Sequence, residues 1–316
     1  MQEINPGDNA VAPFMIKSVS VANTSRGSQY ASLELLGSGG KEYKAKIWDW
    51  SQDMIATVST GKIIDAEYMA KEYKGALDLH LVRFQPSVTS NVSDFARKSR
   101  FDIPGMMKKL RGTVASIENE TIQRIASKLI DDVENIEVAP AATVVHNNWA
   151  GGLIEHVLSL CGLAEGVIEH YSRIYGMPVS RDKVLFGLIC HDLFKCQEYD
   201  CNNPAFPRTK AGYLTNHIVA GIFNLGRVAQ DIVDMNNPKE EELVRELTHL
   251  IAAHHGIEEW GSPVRPCTLE AVIIHHLDNL DSKVMHAFDL IEKGQGTKVP
   301  GMSDQSYFER VPYVLP

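Results

Sequence analysis

The chain has no excess of positive charge: 31 Lys and Arg stand against 40 Asp and Glu, a net charge of −9 over 316 residues. A protein that coats duplex nucleic acid by bulk charge is therefore excluded, although a local basic path is not. No apolar run approaches the roughly 20 residues that cross a bilayer, so no membrane span is expected. The N-terminus MQEINPGDNAVAPF has neither a basic leading segment nor an apolar core, and no signal peptide is expected. Cysteine is scarce. The five present (Cys161, Cys190, Cys196, Cys201, Cys267) are an odd number with no CxxC pair, which points to reduced thiols in a cytoplasmic protein. Internal repeats and low-complexity segments are absent as well. The apolar fraction of 44% is ordinary. It supplies a sizeable core, and the length suits two domains or one large one.

Residues 1–88 read as β. The segments FMIKSVSVANT, YASLELLG, KEYKAKIWDW, KIIDAEYMAKEY and LDLHLVRFQ alternate in polarity. They are separated by breaks at Arg26-Gly27-Ser28, Gly37-Ser38-Gly39-Gly40 and Lys74-Gly75. Five such strands in so short a span fit a small closed barrel of the OB-fold kind, with a short helix after Trp50. Alternation along the third strand places Tyr43, Ala45, Ile47 and Asp49 on one face, and Lys44, Lys46, Trp48 and Trp50 on the other. The second set mixes cations and aromatics, the composition of a surface that tracks and stacks single strands, with Tyr30, Tyr43 and Lys41 as further candidates.

After a linker, SVTSNVSD, with Ser93 or Asp94 as a helix cap, the periodicity becomes helical. Residues 89–145 read as a helical linker region, 146–292 as an all-helical domain and 293–316 as an extended tail. Helices are expected near 104–116, 119–134, 150–175, 181–191, 214–234, 239–255 and 267–290. The stretch 97–124 holds seven basic residues (Arg97, Lys98, Arg100, Lys108, Lys109, Arg111, Arg124) against three acids. It is either a solvated helix face or a track for a phosphate backbone, with Lys108, Lys109 and Arg111 as its candidates.

The helical region carries the pattern H…HD…H…HH…D: His156, His191-Asp192, His217, His254-His255 and Asp278. A lone histidine on an apolar helix is usually a satisfied core residue, and His80, His146, His170, His249, His275 and His286 are expected to include several. The pattern residues differ because each sits on the inward stripe of its own expected helix. Asp278 shares its face with Ile274, Leu277 and Asp281. Imidazole with carboxylate suits a hydrolytic divalent metal. The ligands suffice for two cations bridged by one carboxylate, a clamp for cleaving phosphate esters. Mn, Mg, Fe, Co and Zn are not distinguished by this set.

These residues resemble the HD superfamily of metal-dependent phosphohydrolases. The resemblance extends to the YhaM-like 3′→5′ exoribonucleases, through AKIWDWS, HNNWAGGLIEHVLSL, LICHDLFKCQEY, LTNHI, AHHGIEEWGSP and IIHHLDNLDSK. It implies an N-terminal OB-fold joined to a C-terminal HD domain, and a metal-dependent 3′→5′ exonuclease acting on single-stranded RNA or DNA and releasing nucleoside 5′-monophosphates. His156, His191, Asp192 and Asp278 would hold a first metal. Asp192 would bridge to a second, held by His217 with His254 or His255. Lys195, in the HDxxK position, would stabilise charge on the phosphate. Two positions depart from the family: Phe194 and Asn216 stand where glycine is common, which bears on the shape of the pocket. A nucleotidase or cyclic-nucleotide phosphodiesterase, and a nucleic-acid-binding protein with an inactive HD domain, are the competing functions. Assembly into a homo-oligomer is left open.

Overall fold

A computed structural model describes residues 4–73, 76–88, 91–143 and 147–292 of the protein. The expected break at Lys74-Gly75, His146, the side chain of Ser93 and the tail 293–316 lie outside the described residues. The chain divides into two compact units, Met1–Lys98 with Asn202–Phe206, and Ser99–Cys201 with Pro207–Pro316.

In the first unit, strand β1 (Asn9–Asn23) is long enough to serve two neighbours. Its first half pairs antiparallel with β4 (Ile63–Tyr73) and its second half with β2 (Gln29–Leu36). A register shift between Ile16 and Ser18 bends the strand between these duties, as a bulge does. β3 (Glu42–Trp48) pairs with β2, and β5 (Ala76–Pro86) runs parallel to β3 and antiparallel to β4. The order β1-β2-β3-β5-β4 closes on itself, so no strand edge is left, which is the OB topology. Phe14, Ile16, Leu33, Leu35, Ile47, Ile64 and Leu79 fill the interior by alternation. The expected short helix is a 3-10 turn, Gln52–Ala56, whose Met54 packs on that core.

One placement is corrected. Trp50 is not on the Lys44, Lys46 and Trp48 face but buried in the barrel core at 8% exposure. β3 ends at Trp48, and Asp49 takes a left-handed backbone with φ of 57°. That single turn breaks the two-residue period and swings the next side chain inward, while the Trp50 amide donates to Gln29 O at 3.0 Å. Trp48 stays outside at 46% exposure.

The second unit is helical. Helices α1 (Ile103–Ala115), α2 (Glu120–Asp132), α3 (Gly152–Glu169), α4 (Arg181–Cys190), α5 (Lys195–Glu198), α6 (Lys210–Leu214), α7 (His217–Gln230), α8 (Pro238–Ala253) and α9 (Leu269–Glu292) follow in order. Side-chain caps start them: Asp102 accepts from Gly105 N, Asn119 from Ile122 N, Ser180 from Lys183 N and Asn216 from Val219 N. Met106, Leu110 and Val114 of α1 and Ile122, Ile125 and Leu129 of α2 join one core with Leu153, Phe186 and Ile274. The stretch read as a helical linker thus contributes to the core of the helical unit. Its basic residues Lys108, Lys109 and Arg124 are exposed, and Arg111 is paired with Asp131 at 2.7 Å.

Trp50→Ala is expected to destabilise the chain by about 3–5 kcal/mol, the cost of emptying a buried indole site. Trp48→Ala should lie within about 0.5 kcal/mol of the parent, as for a surface substitution. Urea unfolding of the full chain measures both. Equal losses would return the two indoles to one environment.

Candidate metal centre

Helix α4 is apolar all round: every residue from Val184 to Cys190 is buried. A helix of that composition can only end inside the core, and it ends at His191-Asp192, both buried. Gly187, one turn before His191, lets α9 approach. A Cβ there would meet Ile274 Cδ1 at 2.2 Å. Ile274 lies one turn before Asp278, so this close crossing delivers Asp278 to His191, with Nε2 and Oδ1 3.8 Å apart. Helix α3 starts against the same core because Gly151 (φ 81°) and Gly152 leave no Cβ; one on Gly152 would meet Asn147 O at 2.0 Å. His156, one turn in, then places Nε2 3.2 Å from Asp278 Oδ1.

Two groups of donors result among the described residues. Ligand atoms of His156, His191 and Asp278 lie within 4.8 Å of one another, and so do those of Asp192, His217, His254 and His255. Both members of the doublet enter the second group. Asp192 faces both: Oδ2 is 3.4 Å from His191 Nε2, while Oδ1 is 3.2 Å from His217 Nε2 and 3.6 Å from His254 Nε2.

The histidine tautomers follow from their other nitrogens. His191 Nδ1 lies 3.0 Å from Leu188 O, His254 Nδ1 2.7 Å from Ile251 O and His255 Nδ1 2.7 Å from Trp260 O. A carbonyl only accepts, so each Nδ1 carries a proton and donates it there, and Nε2 is the ring nitrogen left facing inward. His217 Nδ1 meets Glu198 Oε2 at 2.6 Å, and His156 Nδ1 meets Asp281 Oδ2 at 2.7 Å. Nε2 of His191, His217 and His254 and Oδ1 of Asp192 are buried and make no hydrogen bond. Buried polar atoms without partners are costly. Here they converge as lone pairs on common points, which is the arrangement a divalent cation satisfies. The donor set fits divalent metal binding, as the sequence pattern implied.

The remaining charges are paired. Lys195 Nζ is 2.6 Å from Asp192 Oδ2 and donates to Ala141 O at 2.6 Å. It is buried, not a surface lysine. Burial opposes its charge, but Asp192 more than offsets this and raises its pKa. Burial likewise opposes ionisation of Asp192, yet Lys195 and the neighbouring histidines hold its carboxyl well below the usual range. Glu198 is held down to about 2: burial acts upward, and the bonds from His217 and Arg208 prevail. Burial and the adjoining imidazoles push His254 well down. Of the two departures from the family pattern, Phe194 is buried beside Gly221, and Asn216 is the cap of α7. Glu198 and the role of Asp281 were not singled out from the sequence. A carboxylate three residues beyond Lys195 in a run otherwise buried was the available signal for the first.

Burial acts to lower the pKa of His156, but Asp278 and Asp281 outweigh it and hold it up to about 9. An imidazolium cannot ligate, so below about 9 a cation binding here displaces a proton. In the metal-free chain this raised pKa contributes stability that is fully present below about 6.5. That contribution is lost as pH rises through about 9. Cation affinity should move the other way, strengthening up to that pH. Calorimetric titration with Mn²⁺ in two buffers of different ionisation enthalpy reads the released proton, and identical heats would contradict it. Asp281→Asn should weaken cation binding by about 10–100-fold, as loss of an outer partner does, with the helical content unchanged. An unaltered affinity would remove Asp281 from the centre.

The HD domain family model matches residues 153–283, the span that contains every one of these donors. The chain is 30% identical over 312 residues to the 3′-5′ exoribonuclease YhaM of Bacillus subtilis, covering 96% of this chain and 95% of that protein. It is 29% identical over 312 residues to the protein of the same name from Halalkalibacterium halodurans, covering 96% and 93%. Among solved structures, the second OB-fold domain of replication protein A from Methanococcus maripaludis covers 27% of this chain and 89% of its own, at 12% identity and a TM-score of 0.22. Likeness sustained across nearly the full length of both chains takes in the barrel and the metal centre together, and the chain belongs to the YhaM family of 3′-5′ exoribonucleases.

Proposed function

We propose that the protein is a metal-dependent 3′→5′ exonuclease acting on single-stranded nucleic acid, RNA in the first place, and releasing nucleoside 5′-monophosphates. The observation that carries this is the division of Asp192. Its two oxygens face two separate groups of histidines whose Nε2 lone pairs point at them. His156, His191 and Asp278 with Asp192 would hold one divalent cation, and His217, His254 and His255 with Asp192 a second. Such cations supply Lewis acidity toward phosphate oxygens and lower the pKa of the attacking water. Lys195 spends two of its three N–H donors on Asp192 and Ala141 O, leaving the third for a phosphate oxygen in the transition state. The buried walls around α4 lower the local dielectric, which strengthens each of these charges.

The barrel supports the strand-binding part of this reading. Trp48 stacks on Tyr30 with ring centroids 5.3 Å apart and meets His80 edge-on at 5.9 Å. Lys46 Nζ lies 5.9 Å from the Trp48 ring and 5.4 Å from that of Tyr73. Beside them a groove of about 390 Å³ is lined by Ser18, Ser32, Glu34, Lys44, Lys46 and Asp78 among others. Aromatics and cations side by side on one barrel face provide stacking and phosphate pairing without base selection. Tyr43 is turned away, edge-on to Phe14. Among the described residues no helix is long and apolar enough to cross a membrane.

Asp192→Ala should abolish hydrolysis and reduce bound metal while the barrel stays folded; wild-type turnover by that variant ends the metal reading. Lys195→Ala should keep its metal and lose about 10²-fold or more in rate. A strand ending in a 3′-phosphate should resist degradation, whereas a 5′ block should not matter, and rapid cleavage of a circular single strand would contradict the direction. Trp48→Ala should weaken binding of long strands by roughly 1–3 kcal/mol, the worth of a stacked base, measured by anisotropy in the Asp192→Ala background.

A further inference from the structure

Trp260 stands at the rim of the second histidine group, and its setting is unusual. The chain leaves α8 through His254 and His255, turns at Gly256 (φ 81°) and makes one 3-10 turn, Glu258–Trp260, before Gly261 (φ 90°). The turn is tied down on every side. Trp260 N donates to Ile257 O at 3.1 Å, Gly261 N to Glu258 O at 2.8 Å and Ser262 N to Ile257 O at 3.2 Å. Gly256 has no alternative, because a Cβ there would meet the His275 ring at 2.2 Å. A loop so fixed nevertheless presents its largest side chain to water, with the Trp260 indole 48% exposed.

Trp260 is tied to the second histidine group by its main chain through His255 and by its indole through His275. His255 donates from Nδ1 to Trp260 O at 2.7 Å. The Trp260 ring lies 6.2 Å from that of His275, which donates from Nδ1 to His254 O at 2.8 Å. Lys283 Nζ lies 5.3 Å from the indole centroid. A half-exposed aromatic face with an ammonium beside it, five residues beyond His255 and bonded to it, matches the two halves of a nucleotide: a base to stack and a phosphate to pair. A purely structural indole would be expected to turn into the core and not to be held out at this position.

We propose that Trp260, with Lys283 beside it, forms a nucleobase subsite for the 3′-terminal segment of the strand being degraded. This rests on the reading of the centre as a strand-degrading phosphodiesterase and adds to it how the end of the strand is gripped. The barrel tracks the length of a strand. Trp260 fixes the terminal nucleotides against the cations, by stacking that any base satisfies.

The test uses the full chain in the Asp192→Ala background and a 5′-fluorescent trinucleotide, with an ordinary or an abasic 3′ end. Trp260→Ala should weaken the ordinary trinucleotide by roughly 10–100-fold, the worth of one or two stacked bases, and Trp260→Phe should retain most of the affinity. The abasic trinucleotide should bind weakly to all three alike. Equal affinity of Trp260→Ala and its parent for the ordinary strand would overturn the proposal. So would an equal loss on the abasic strand. With Asp192 intact, Trp260→Ala should raise KM while kcat and metal content hold; a fall in kcat together with lost metal would make Trp260 a support for His255 and overturn the subsite. If the wild-type chain cleaves no strand at all, the exonuclease reading fails, and the base dependence of binding still decides the role of Trp260.

Discussion

The constraint on which the centre depends is the tether on Nδ1 of each inward histidine. His156, His191, His217, His254 and His255 all spend Nδ1 on an acceptor, which turns every Nε2 toward the shared interior. Ring orientation is set before any ligand arrives. The surroundings serve this end. Three of the tethers are carbonyls of the polypeptide itself, from Leu188, Ile251 and Trp260, two of them three residues before the histidine they hold. Those two are in place as soon as α4 and α8 form. A histidine at the end of an apolar helix is thus aimed by the same backbone that buries it.

Helix packing then converts local aim into a common focus. The crossing of α4 and α9 at Gly187 and Ile274 acts one turn upstream of both His191 and Asp278. Any side chain at Gly187 would separate the two ligands by about the thickness of a methyl group, which is the scale at which metal geometry is lost. Gly151 and Gly152 act in the same way at the start of α3. The glycines in NNWAGG and FGLICHD therefore shape the candidate centre although they carry no donor.

Much of this was legible in the sequence, for identifiable reasons. His156, His191, Asp192, His217 and Asp278 stood out as candidates because side-chain type and helical period coincide at each, and the fold gathers them into two groups. The barrel could be found because its strands alternate cleanly. Trp50 was misplaced because one left-handed residue, Asp49, resets the alternation, and a period of two carries no warning of that. Helices α5 and α6 were not read because four or five residues are too few to show a period. The choice between His254 and His255 stayed open for a different reason. The tethers that orient them are main-chain carbonyls, and a carbonyl has no identity in a sequence. Glu198 and Asp281 act through partners 19 and 125 residues away, a distance only the fold closes.

The two kinds of tether also divide the donors electrically. Each group contains one histidine held by a carboxylate, His156 by Asp281 and His217 by Glu198, and the others are held by carbonyls. A carboxylate behind an imidazole makes its Nε2 the more basic ligand, so each cation would meet one strong donor and weaker ones around it. The same carboxylates leave the centre with an excess of negative charge. Asp192, Asp278, Asp281 and Glu198 face Lys195 and Arg208, four carboxylates against two fixed cations. Buried charge without compensation is not tolerated. In the metal-free chain a proton on His156 makes up part of the difference, which is why its pKa is held up to about 9. A divalent cation would make up the difference and release that proton. The acidity of the interior and the lone pairs of the histidines therefore call for the same occupant on independent grounds.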